Sequence, residues 1–100
     1  MIRGTTPTHI FTLPFEANIL SNIRIIYTQG GERILVKEIG DCQLDGDTVT
    51  VRLTQEETFR FDCNKYVEIQ VRVLTAEKEA LNSTPIKVSV ERCLENEVIV

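Results

Sequence analysis

The sequence predicts an all-β domain, a two-sheet antiparallel sandwich of about seven strands with one short helical turn. Three observations predict it. Aliphatic and polar residues alternate with period two at Thr48–Leu53 and again at Tyr66–Leu74, the pattern of half-buried strands. Turn pairs, Gly30-Gly31 and Asp45-Gly46, separate neighbouring runs, as in hairpins. The chain has 100 residues, 42% hydrophobic and 26% charged, which suits one globular core. Residues 1–100 therefore read as a single domain, with 93–100 a tail that is either flexible or in contact with a partner.

The elements follow in order. His9 to Leu13 lies between Pro7 and Pro14, and prolines at both ends suit an edge strand. Ile23 to Thr28 places Ile23, Ile25 and Tyr27 on one face. Gln29-Gly30-Gly31-Glu32 is a tight turn, because paired glycines accept positive φ, and Arg33 to Glu38 pairs back. Asp41 to Leu44 enters an Asp45-Gly46-Asp47 turn. Thr48 to Leu53 returns with Val49, Val51 and Leu53 inward and Thr48, Thr50 and Arg52 outward. Thr54-Gln55-Glu56-Glu57 fits a capping box and opens a helical turn, closed by Phe59 and Phe61 plugging the core. Tyr66 to Leu74 is expected to be the longest and central strand. Its Val67, Ile69, Val71 and Val73 face inward, each contributing on the order of 1.5–3 kcal/mol. Thr75 to Thr84 reads as a polar loop. Pro85 starts the last strand, with Ile86, Val88 and Val90 inward and Lys87, Ser89 and Glu91 outward.

This order resembles the immunoglobulin and fibronectin type III arrangement, in which a helical turn precedes the penultimate strand. There are departures. No tryptophan exists, and no cysteine falls in Ile23–Thr28 or Tyr66–Leu74, so the inter-sheet disulfide of antibody domains is excluded. Tyr66 is the candidate for a tyrosine corner.

Composition narrows function. The net charge is −4 and the pI about 5.0. Lys and Arg are scattered singly, with no basic patch for a phosphate backbone and few aromatics for base stacking. No apolar run approaches the roughly 20 residues that cross a bilayer. The N-terminus lacks the apolar run of a secretory signal, so the expected location is cytosolic. Cys42, Cys63 and Cys93 are odd in number and widely spaced, which favours reduced thiols. With His9 they could compose a Cys3His zinc site, but close ligand pairs are absent, and small half-buried apolar side chains is the preferred reading. His9 is the single histidine. A nucleophile–base pair would have to use it with Ser21, Ser83, Ser89 or a cysteine, and nothing local orients one. Asp41, Asp45, Asp47 and Asp62 lack the ligand spacing of a calcium loop. Glu56 and Glu57 sit on one turn rather than across a cleft and complement a helix dipole. No catalytic, cofactor-binding or metal-ligating set is expected, and no cofactor.

Two features invite an interaction. The Thr75–Thr84 loop lies where sandwiches bind partners, or is plain mobile loop. The apolar Val98-Ile99-Val100 could add as a strand to a neighbouring subunit, or pack on its own domain. The opening Met1-Ile2-Arg3-Gly4-Thr5-Thr6-Pro7-Thr8-His9-Ile10-Phe11-Thr12-Leu13-Pro14-Phe15, with Val51–Glu56 and Val67–Val73, resembles a group of short proteins encoded by phages and prophages of gut Firmicutes. The resemblance covers most of the chain, and the group has no assigned activity. It implies a non-enzymatic phage structural or accessory protein, of tail, baseplate or virion surface. Its expected partners are other phage structural proteins or copies of itself, with no nucleic acid and no membrane. The expected place is the bacterial host cytoplasm, with incorporation into the virion. The alternative is a stand-alone binding module for a host factor or a carbohydrate.

Overall fold

The computed structural model describes residues 1–100. Eight strands, one α-helical turn and two short 3-10 turns (Ala17–Ile19 and Ile39–Asp41) appear: β1 (Thr8–Thr12), β2 (Leu20–Gln29), β3 (Glu32–Glu38), β4 (Cys42–Asp45), β5 (Thr48–Arg52), α1 (Gln55–Thr58), β6 (Val67–Thr75), β7 (Ala80–Asn82) and β8 (Ile86–Val88). They form two antiparallel sheets. One has the order β1-β5-β4; the other runs β3-β2-β6, and the far side of β6 is shared by β7 and β8. In immunoglobulin lettering these are B-E-D and C′-C-F-G, with the helical turn between E and F. No strand A lies beside β1. The N-terminal segment instead makes one parallel bridge, Ile2 to Glu91.

The inward alternations hold. Ile23, Ile25 and Tyr27 of β2 meet Val49 and Val51 of β5, Leu53, Phe61, and Val67 and Ile69 of β6 in one interior. Both glycines of the β2–β3 turn have positive φ, 58° and 81°, which is the backbone of a type I′ hairpin. The capping box is present: Thr54 Oγ1 accepts the Glu57 N–H at 3.1 Å, and Glu57 Oε1 accepts the Thr54 N–H at 2.9 Å.

Several expectations are corrected. β2, at 10 residues, is longer than β6, at 9, and the two lie side by side as the inner strands of their sheet. The segment Thr75–Thr84 is not loop throughout. Thr75 Oγ1 accepts the Glu79 N–H at 3.0 Å, Lys78 turns the chain at φ 66°, and Ala80–Asn82 pairs back on Arg72–Leu74. Ala-Leu-Asn has no alternation to announce a strand. The β4–β5 turn is centred on Gly46-Asp47, since Asp45 pairs with Thr48 and only Gly46 has positive φ, the dihedral signature of a II′ turn. Phe61 plugs the core, but Phe59 is half-buried and lies under the Arg3 guanidinium, 5.4 Å from the ring centre. Tyr66 is 64% exposed, so it makes no tyrosine corner. Ile86 lies opposite Ile69 on the inward face, as expected, but is 51% exposed, for a reason that defines the candidate site.

Candidate functional site

Several of the polar groups singled out by the sequence are paired inside the fold. His9 points inward from β1, and its Nδ1 lies 2.8 Å from the Tyr27 hydroxyl of the opposite sheet. The Tyr27 ring is tilted between His9 and Phe61, with centroids 5.7 and 5.9 Å away. Burial, and then the N-terminal charge, hold the His9 imidazole below its ordinary pKa of 6.5. Burial drives the Tyr27 phenol far above its usual range, helped by Cys42 and Glu57. The partner of His9 is thus the Tyr27 phenol, held neutral by burial, and not one of the serines or cysteines weighed from the sequence.

Lys37 of edge strand β3 points inward and meets Glu57 of α1 at 2.6 Å. Burial raises the Glu57 carboxyl, but the hydrogen bonds and charge of Lys37 and the Thr54 contacts outweigh it, and the net shift is downward. Cys42 Sγ donates to the Glu38 carbonyl at 3.3 Å, and burial pushes its thiol up. Cys63, in the loop after α1, and Cys93, in the tail, are free and half-buried. Asp41 accepts the Glu38 N–H, and Asp62 the Asn64 N–H. Asp45 and Asp47 flank Gly46 in the hairpin turn. Glu56 stays exposed while Glu57 turns to Lys37. No three His, Cys, Asp or Glu side chains converge as a metal-binding group. Ser21 donates to the Leu74 and Thr75 carbonyls, Ser83 Oγ accepts the Val71 N–H, and the Ser89 carbonyl accepts the N-terminal amine. His9 is brought to none of them.

The largest apolar feature lies elsewhere. Without a strand beside β1, the sandwich is open between β1 and the β7/β8 edge of the other sheet. A cleft of about 480 Å³ results, lined by Ile10, Phe11, Leu13, Val73, Leu81 and Ile86 among others. Ile10 (65%), Leu81 (39%) and Ile86 (51%) stay exposed around it. The size is that of a ligand or docking groove. The sequence reading missed it, because it depends on which strands become edges. One local signal was present: no charged residue occurs between Arg3 and Glu16.

The tail is pinned by its backbone rather than its side chains. The Ile99 N–H donates to Gln55 Oε1 at 2.9 Å, and Gln55 Nε2 donates to the Ile99 carbonyl at 3.0 Å. The Ile99 and Val100 side chains remain exposed. No helix is long and apolar enough to cross a membrane.

Compared with protein-family models and with curated proteins, the chain matches none. The class is therefore set by the fold: a β-sandwich with immunoglobulin-type strand order. Its individual character lies in the open edge beside β1 and the apolar cleft behind it.

Proposed function

We propose that this chain is a non-enzymatic structural or accessory protein of a phage, a module of tail, baseplate or virion surface that acts through protein–protein assembly. One observation carries the reading toward assembly. His9 and the Lys37–Glu57 pair are engaged within the fold, whereas the apolar side chains at the open edge are not. Exposed apolar surface gathered at one place is characteristic of interaction sites. The resemblance of Met1–Phe15, Val51–Glu56 and Val67–Val73 to short phage and prophage proteins supplies the biological setting. Sandwich modules serve many functions, so the assignment rests on the edge and on that resemblance.

Mass spectrometry of purified particles from an induced lysogen tests it. The expected result is this chain at many copies per particle, and its absence from particles would overturn the virion role. A stand-alone binder for a host factor or a carbohydrate is the second reading, favoured by the exposed Tyr66 ring beside Asn64 and Lys65, since sugars stack on exposed aromatics. A glycan array without hits removes its carbohydrate form.

A further inference from the structure

Four sheet edges are exposed, and three are guarded. β3 carries a register shift opposite Tyr27/Thr28 and the inward Lys37. β4 has four residues and ends in Asp45. β7 and β8 have three residues each, separated by Ser83-Thr84-Pro85. Bulges, inward charges, prolines and short strands all discourage pairing with another chain. β1 alone has none of these within it. Its five residues, Thr-His-Ile-Phe-Thr, lie in the uncharged stretch between Arg3 and Glu16. Pro7 and Pro14 bound the edge on either side without entering it.

The register of β1 dictates what can pair there. It faces β5 with Thr8 opposite Arg52 and Thr12 opposite Thr48. The Leu53 N–H donates to the Pro7 carbonyl, and the Leu13 N–H to the Asp47 carbonyl. In an antiparallel ladder the hydrogen-bonded residues alternate, so His9 and Phe11 bond to β5. The N–H and C=O groups of Thr8, Ile10 and Thr12 therefore point to the free edge. Their side chains are exposed on the outer face.

We propose that β1 is a self-pairing edge, through which two copies of this chain join antiparallel about a two-fold axis at Ile10. The proposal rests on the assembly reading above and names its partner and surface. The edge is self-complementary in this register. Ile10 meets Ile10 of the second copy, and Thr8 meets Thr12, each pair exchanging both N–H···O=C bonds. Apolar and Thr–Thr cross-strand pairs stabilise such a seam. Charge selects the same place. Two copies each carrying −4 repel, and β1 is the edge where they meet without a like charge in contact. The two-fold axis runs perpendicular to the joined sheet, so the second sheets lie on the same side and their β7/β8 edges face each other. The two apolar clefts then close against one another, covering Leu81 and Ile86. This adds the apolar area that five residues of strand lack against the roughly 1,200–2,000 Å² of a stable interface. The contact is isologous, so it closes as a dimer and does not propagate.

Sedimentation equilibrium of the full chain tests the proposal. The expected mass is twice 11.4 kDa, and Ile10→Lys, which sets two charges face to face on the axis, weakens the dimer by roughly tenfold or more. Circular dichroism checks that the variant is folded. Amide exchange on the unaltered protein gives a second reading that needs no variant. Thr8, Ile10 and Thr12 should gain protection as concentration rises, and His9 and Phe11 should be protected throughout. A wild-type monomer up to millimolar concentration overturns the proposal. So does a dimer that ignores Ile10→Lys and leaves those three amides unprotected, which would place the contact elsewhere, such as at Val98–Val100. A monomer found at many copies in particles sinks self-pairing but spares the assembly reading. A dimer that is missing from particles does the reverse.

Discussion

At the scale of single residues, the fold places two titratable groups so that acid weakens it, over two separate ranges. His9 is held below its ordinary 6.5 by burial, so the folded state prefers the neutral ring. The stability that follows is complete above the unfolded value and is lost as pH falls through the folded one. Glu57 has the same sign, starting from an ordinary 4.5. Its contribution is complete above that value and fades only at lower pH. Urea midpoints at fixed protein concentration should therefore fall between pH 7 and 5 because of His9, and again below about pH 4.5 because of Glu57. His9→Gln should flatten the first decline and leave the second. An unchanged first decline in that variant would remove His9 as its cause. Tyr27→Phe deletes the hydroxyl at 2.8 Å from His9 Nδ1 and should cost about 1–3 kcal/mol, because a half-buried imidazole loses its partner. This pair was invisible in the sequence. Tyr27 was placed correctly on the inward face, but its contact with His9 joins residues 18 apart on different sheets, and no local pattern encodes that.

At the scale of elements, legibility followed the range of the forces. The capping box of α1 was readable because its hydrogen bonds join residues three apart, Thr54 and Glu57. Thr54→Ala should lower stability by about 1 kcal/mol in chemical denaturation. The β7 strand was not readable, because Ala80–Asn82 is made a strand by β6 and by the Thr75 turn, not by its own side chains. The N-terminal segment is likewise held by tertiary contacts. Thr58 is fully buried; its Oγ1 accepts the Gly4 N–H at 2.9 Å and donates to the Thr5 carbonyl at 2.9 Å. Gly4 has φ +80°, and a Cβ there would sit 2.6 Å from the Phe59 ring. Gly4→Ala should thus cost on the order of 1–3 kcal/mol through strain and steric conflict. The amides of Arg3 and Glu91, which tie this segment to the end of the chain, should exchange faster in the variant. Wild-type protection at both amides would show that the segment tolerates the change by moving Phe59 alone.

At the scale of the whole molecule, the sandwich is asymmetric, and that asymmetry is a stability statement as well as a functional one. Alternation identified the faces of β2, β5 and β6, but it could not say which side of the interior would be left open. The answer depends on strand order, and Ile86 is left exposed for that reason. Its own strand pattern reads inward, yet no strand of the opposite sheet covers it. Two valines of identical chemistry probe the difference. Val49 is fully buried between β1 and β4, whereas Val73, 7% exposed, lines the cleft. Truncation at a closed site leaves a cavity that cannot relax, and truncation beside an open cleft leaves space that solvent or neighbouring side chains can fill. Val49→Ala should then cost on the order of 2–3 kcal/mol and Val73→Ala roughly half that in the monomer, measured by urea denaturation at low protein concentration. If β1 pairs with its counterpart in a second copy, Val73 becomes interior, and the two costs should converge as concentration rises. Equal costs at all concentrations would mean that the edge is already sealed within one chain.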